Sequence, residues 1–426
     1  MRRITMPRLV WRRVSLTVGS LTYLRFNSRS CELELLVLLS SSHGVRLAFG
    51  FNVVLLCLLL SACGAGLDPK YIEQGMPQNL SEWGQVGVIG NRFVVAEGVQ
   101  PYDLASPLFT DYAHKIRTVW MPNGMTAQYS QESVFDFPVG TVITKTFYYP
   151  AVSGAQDVVL KKSDTSADVV SGRVNSHNLK LIETRILVRR DQGWVALPYR
   201  WNEAQTDAEL MRTGDIVPLT LLDDDARSRS FNYIVPNANQ CASCHAPNSN
   251  DRVLEPIGPK ARHLNKFFAY DASGLNQLTL WREQGLLQGL PRSDVIPHNV
   301  DWSDSTLGIE QRARSYLDIN CSHCHSPVGP ADTSGLHLGP ETAHGPALGM
   351  CKPPIAAGRG TGNRRFDIVP GHPDQSILVY RTASTIADIM MPEIGRSLSH
   401  TEGTALLASW IEGLDGQCDR DLVSIY

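Results

Sequence analysis

The chain has 426 residues, 43% of them hydrophobic and 19% charged, which is enough apolar material for two or three domains with packed cores and excludes a disordered protein. Its formal net charge is −3. It shows no block of like charge, heptad run or tandem repeat of solenoid length, so coiled coils, solenoids and charge-driven nucleic-acid binders are excluded.

The N-terminus reads as an export signal. Leu47–Leu60 is an apolar run of signal-peptide length behind Arg46, shorter than a membrane span needs. It ends in Leu60-Ser61-Ala62-Cys63-Gly64, which resembles the bacterial lipobox, whose cysteine is lipidated and becomes the first residue after cleavage. The resemblance implies a lipid on Cys63 that anchors the protein on the periplasmic side of a bacterial membrane, the outer membrane ahead of the inner because Gly64 rather than aspartate follows. A plain signal peptide with an incidental cysteine is the competing reading. Residues 1–44 form an overlong n-region or a start-site overextension with initiation near Val45, so 1–63 is set aside as leader. The leader holds eight arginines and two glutamates; without it the 39 basic residues fall to 31 and the 42 acidic ones to 40, a net charge near −9. Such a chain suits partners with a basic docking face.

Residues 68–235 run in short apolar/polar alternations, among them Thr141–Tyr149, Leu181–Arg189 and Trp194–Trp201, separated by Gly, Pro, Asn and Asp. The pattern predicts an all-β sandwich or jelly-roll domain. Asp111 and His114 have no partner at motif spacing, and Trp120, Trp194 and Trp201 read as core.

Next comes Cys241-Ala-Ser-Cys244-His245, and 80 positions later Cys321-Ser-His-Cys324-His325. Cys-x-x-Cys-His is the attachment pattern for c-type haem: two thiolates add to the vinyl groups and the adjacent histidine is placed under the iron. Zinc sites and thioredoxin-type sites also use Cys-x-x-Cys, but zinc has no need of a histidine after each pair, and a thioredoxin-like motif expects a βαβ setting that this sequence pattern lacks. Two covalently bound haem c groups are therefore expected, with His245 and His325 as axial ligands. Phe231–Gln240 contains Pro236 and reads as strand plus turn, with no helix leading into Cys241; Gly274–Leu287 reads as a following helix with Leu275, Leu278 and Trp281 on one face. The first haem-binding segment is placed at 236–300. No methionine lies between His245 and Met350, so the sixth ligand of the first haem is His263, or His298, an upstream methionine such as Met121, Met125 or Met211, or nothing. Arg252, Lys260 and Arg262 are candidates for propionate pairing or plain solvated charges.

Around the second motif, Ile309–Asn320 has helical spacing of Ala313, Tyr316 and Leu317. Ile389-Met390-Met391-Pro392 follows downstream, then a helix with Ala405, Leu406, Trp410 and Ile411 on its apolar face, and Ser399 with Glu402 resembles a capping box. Helix, motif, Met-Pro turn and closing helix together resemble a class I cytochrome c domain over 308–418. That resemblance implies a mainly α-helical haem domain with Met391 as the distal ligand opposite His325; Met390 competes, and a Met pair that only packs the pocket is the bland alternative. The Gly/Pro-rich stretch Pro327–Gly371 departs from the simplest members and leaves His337, His344, Met350 and His372 as minor candidates. Of the remaining cysteines, Cys351 and Cys418 are most simply a disulfide in an oxidising compartment, with two free thiols as the alternative.

The predicted whole is a multidomain α+β protein, an all-β domain followed by mainly α-helical haem domains. With the stretches PLFTDYAHKIRTVW, FPVGTVITKTF, WNEAQTDA, GPKARHLN and RARSYLDINCSHCH, this order resembles a family of bacterial di-haem lipoproteins of unassigned function. Two roles are expected: electron transfer between periplasmic redox partners, or a di-haem peroxidase- or oxidase-type enzyme whose first haem is an open catalytic site.

Overall fold

The computed structural model describes residues 66–162, 169–170, 173–174, 178–223, 225–267, 274–355 and 357–418, and the antiparallel strand pair Tyr23–Asn27 and Glu32–Leu36 of the N-terminal unit Met1–Ala65. The apolar run Leu47–Leu60 and Cys63 lie outside the described residues. Among those described, no helix is long and apolar enough to cross a membrane.

Gly66–Tyr426 is built on one curled sheet of nine strands: β1 (Gln100–Tyr102), β2 (His114–Trp120), β3 (Val142–Val152), β4 (Ala155–Leu160), β5 (Leu179–Arg190), β6 (Gly193–Trp201), β7 (Ala208–Leu210), β8 (Asp215–Leu222) and β9 (Ser228–Val235). The order is β7-β6-β5-β3-β4-β8-β9, with β2 also on β3 and β1 on β2; the β4–β8 pair is parallel and the rest antiparallel.

Period-two side-chain alternation explains why these sequences form strands that bury both faces. In β3, Val142, Thr144, Thr146 and Tyr148 point one way and Ile143, Lys145, Phe147 and Tyr149 the other. The first face packs Ile116, Val142, Tyr148, Ile186, Leu197 and Tyr199 against Leu80, Trp83 and Phe93. The second carries two apolar clusters. One joins Val119, Ile143, Leu187 and Trp194 to Phe135, Leu264, Leu278, Trp281 and Ile319; the other joins Phe147, Tyr149 and Ile182 to Val217, Leu219, Tyr233 and Leu398.

Six short helices stand among the described residues: α1 (Ala238–His245), α2 (Ala261–Leu264), α3 (Gln277–Glu283), α4 (Ile309–Leu317), α5 (Ile377–Ala383) and α6 (Thr401–Glu412). This corrects the expected architecture. Strand outweighs helix, 27% against 22%, and in place of a sandwich followed by mainly α-helical haem domains there is one curled sheet with six short helices among the described residues. The physical reason lies in the apolar residues after Val235. Ala261, Leu264, Leu278, Trp281, Ile296 and Ile319 complete the core of the sheet's second face, and the separate core closed by α4, α5 and α6, with Leu317, Leu378 and Trp410, is filled in large part from loops and 3-10 turns through Leu338, Leu348 and Ile368. The stretch Pro327–Gly371 also breaks helices, running as loops and 3-10 turns; at Gly349, φ is +104° and an added Cβ would stand 2.7 Å from Leu336 Cδ1.

Two local expectations also change. α1 leads into Cys241 where a turn was expected: Pro236 ends β9, and the side chain of Asn237 accepts the Gln240 amide while Gln240 reaches back, a capping box spelled Asn-x-x-Gln. Ser399 does not cap α6. His400 occupies the cap position, and Glu402 pairs with Lys161 and accepts from the Tyr112 hydroxyl at 2.9 Å.

Candidate functional site

α1 presents the first motif against the sheet. Cys241 is buried and its thiol is pushed up by that burial. His245 closes the helix, with Nδ1 2.8 Å from the carbonyl oxygen of Glu255. Donation to that carbonyl fixes Nδ1 as the protonated nitrogen and leaves Nε2 with its lone pair. Burial holds the ring neutral, lowering its pKa to about 4 against the pull of the Glu255 carbonyl.

α4 delivers the second motif through a single π-helical turn, Asp318–Ser322, which carries Cys321. Burial raises the Cys321 thiol to about 12. His325 Nδ1 lies 3.3 Å from Ser334 Oγ, and burial, then the charge of Arg381, lowers the ring to about 4. Both motif histidines are therefore neutral at ordinary pH and oriented by a partner at Nδ1.

The two motifs meet. Cys324 Sγ is 3.7 Å from the Ser243 carbonyl oxygen, and the ligating atoms of Cys244, His323 and Cys324 lie within 4.8 Å of one another. Hydrogen bonds from the Cys324 thiol and from His323 favour the thiolate at Cys244, so Cys244 ionises first and Cys324 is held protonated.

The loop of Met390 and Met391 adjoins the second motif. The Met391 amide donates to the Arg381 carbonyl at 3.0 Å, Arg396 donates to the Met391 carbonyl at 2.8 Å, and Glu393 bears on Cys324. Met390 is buried, Met391 half-buried. The other expected residues fall elsewhere. His263 is buried, with Nδ1 3.2 Å from Asn299 Nδ2 and Nε2 3.7 Å from Asp318 Oδ2, so both ring nitrogens face polar partners. His298 and Met125 are exposed, and Met121 packs in the core. Arg262 pairs with Glu132 and Glu341, and Arg252 is exposed. Cys351 and Cys418 are joined by a disulfide.

Beside the first motif the sheet's second face lines a cavity of about 60 Å³. Ile143, Leu187 and Ala196, on β3, β5 and β6, form an apolar row on its wall, and the next row along, on β2, β3 and β5, is Arg117, Lys145 and Arg185; Cys241, His245 and Pro256–Pro259 also line it. The chain matches no known protein family, curated protein or solved structure.

The three cations were not legible as a site in the sequence. Their only signal was a charge at an inward position of an otherwise apolar strand, as in Thr141–Tyr149. Arg185 is satisfied by a two-point pair with Glu183, 2.9 and 2.5 Å, and Tyr233 donates to the same carboxylate at 2.7 Å. Arg117 reaches Asp103 at 3.2 Å with one nitrogen, while its other terminal nitrogen is buried without a partner. Lys145 stands 4.9 Å over the Phe147 ring, and burial followed by Arg117 and Arg185 depresses its pKa well below the lysine range.

These residues fit a haem at the first motif. They supply two thiols, a neutral imidazole with Nε2 free, an apolar wall and cations for an anionic edge.

Proposed function

We propose that this chain is an exported di-haem c-type electron carrier, with haem joined to Cys241 and Cys244 and to Cys321 and Cys324, and with His245 and His325 as axial ligands. Bound haem supplies a one-electron couple at each motif. The observation that carries the reading is the contact between the motifs: groups 81 positions apart, Ser243 and Cys324, touch at 3.7 Å, so cofactors attached on either side stand next to each other. The Nδ1 partners of His245 and His325 support it, since a ligand histidine is held in one tautomer by such a bond. Met391 is the proposed sixth ligand of the second haem, favoured by its anchoring to Arg381, whose charge bears on His325. The leader and the lipobox-like Cys63 support anchoring on the periplasmic side of a bacterial membrane, and the net charge near −9 favours donors and acceptors with basic faces.

Absorption spectra of the purified protein, oxidised and reduced, with and without carbon monoxide and peroxide, test this. Two low-spin haems inert to both ligands are expected. A haem that takes carbon monoxide or turns over peroxide overturns the carrier reading in favour of a peroxidase-type enzyme.

A second reading rests on the cluster of Cys244, His323 and Cys324, whose sulfur and nitrogen atoms suit a soft divalent metal such as zinc bridging the motifs. It leaves Cys241, Cys321, His245 and His325 unused. Stoichiometric zinc without haem in protein from a cytochrome-assembling host decides for it.

A further inference from the structure

The second face of the sheet contains an arrangement that packing alone does not favour. Arg117 on β2 pairs directly with Lys145 on β3, which pairs directly with Arg185 on β5, so three cations stand side by side across adjacent strands. Like charges in that relation repel. Glu183 neutralises Arg185, and the half-exposed Asp103 is shared between Arg117 and Lys266. That leaves one terminal nitrogen of Arg117, a residue 3% exposed, without a partner, and leaves the Lys145 ammonium, 4.9 Å over the Phe147 ring, without a hydrogen bond among the described residues.

Both residues line the cavity that holds Cys241 and His245. The neighbouring row on the same strands is Val119, Ile143 and Leu187, so the wall is apolar along one line and cationic along the next. Strands are spaced about 4.8 Å apart, so the cationic row is about 10 Å long from β2 to β5. Arg185, at one end, bears on Cys241. The wall thus sets a row of cations beside an apolar one.

We propose that Arg117 and Lys145 bind the two propionate carboxylates of the haem carried by the first motif, and that the β-sheet is that haem's pocket. The proposal rests on haem attachment at Cys241 and Cys244 and adds which element receives the cofactor. Arg117 supplies two nitrogens in a fixed fork and Lys145 a point charge, the donors a pair of carboxylates takes. The exposed Arg252, closer in sequence to the motif, has no part in it.

The test is R117Q, K145Q and the charge-keeping R117K, matured in a cytochrome-assembling host, with R252Q as control. Intact mass counts the haems, and a spectroelectrochemical titration reads two midpoint potentials. Removing a cation from a propionate leaves more negative charge near the iron and favours the ferric state. R117Q and K145Q are therefore expected to keep two haems and to lower one of the two potentials, leaving the other in place, while R117K restores it and R252Q changes nothing. Should R117Q fail to fold, K145Q carries the same expectation alone, since the Lys145 ammonium has no hydrogen bond among the described residues to lose. Two haems with both potentials unchanged in K145Q overturn the proposal while leaving the electron-carrier reading intact. Protein without haem in the unmutated chain overturns both.

Discussion

His245 Nδ1 lies 2.8 Å from the carbonyl oxygen of Glu255, ten positions on, whose amide donates to the His245 carbonyl at the end of α1. The contact sets which imidazole nitrogen is free. H245A is expected to leave thioether attachment intact, because the two cysteines are untouched, and to convert the first haem to a high-spin, carbon monoxide-binding form. An absorption spectrum identical to the unmutated protein would remove His245 from the iron.

Asp111 ties the sheet to the segment that follows Met391. Its carboxylate accepts the amides of Ser397 at 2.8 and 2.9 Å and of Leu398 at 2.7 Å, and its carbonyl accepts the Tyr149 hydroxyl at 2.7 Å. Truncation strips two backbone donors of their partner in a buried place, each worth about 1–3 kcal/mol. D111A is expected to lose about 3 kcal/mol in denaturant unfolding, with little change in m-value. A loss below about 0.5 kcal/mol would mean the amides find other partners.

His400 sets an acid limit. Burial is the main cause lowering its pKa to about 4, with Lys115, Lys161 and Arg396 acting in the same direction and Glu402 against them. Its ring stacks on Phe109 at 4.2 Å and its Nδ1 is 3.0 Å from the Tyr316 hydroxyl. The folded pKa is below the unfolded value of about 6.5, so the unfolded chain binds the proton first on acidification. This contribution is fully present above about pH 6.5 and is lost as pH falls to about 4, to a total on the order of 3 kcal/mol. Asp111 works oppositely: burial raises it to about 6, so its contribution grows as pH falls through that range. The difference in unfolding free energy between the unmutated protein and H400Q isolates the histidine, and it is expected to shrink from pH 7 to pH 4. A difference independent of pH would show that His400 does not titrate with folding.

The Cys351–Cys418 disulfide closes a loop of 67 positions that contains both methionines of the Met-Pro turn. A loop of that length constrains the unfolded chain by about 4 kcal/mol. C351A/C418A is expected to lose about that much stability and to retain both haems. Unchanged unfolding would assign the stability of this segment to the packing of Leu348, Ile368 and Trp410 alone.

The strands of the sheet were legible because period-two alternation survives in Thr141–Tyr149, Leu181–Arg189 and Trp194–Trp201, which become β3, β5 and β6. The helix at Trp281 was legible for the same kind of reason, with Leu278 and Trp281 buried on one face. What sequence could not carry was the destination of those apolar faces. Trp281 and Leu278 close a core whose strand residues, Val119, Ile143, Leu187 and Trp194, lie more than 80 positions earlier, and local periodicity is blind to partners at that distance. α1 was missed because a Pro at 236 outweighed the Asn237–Gln240 capping box just behind it. The motif residues themselves were plain from spacing. Arg117 and Lys145 were not, because their alignment exists only through strand register.

Intact mass of the mature protein from a cytochrome c-assembling host tests the central claim most directly. Two covalent haem additions are expected, falling to one in C241S/C244S and to one in C321S/C324S. No haem addition, with one zinc ion per chain lost in variants of Cys244, His323 or Cys324, would contradict it.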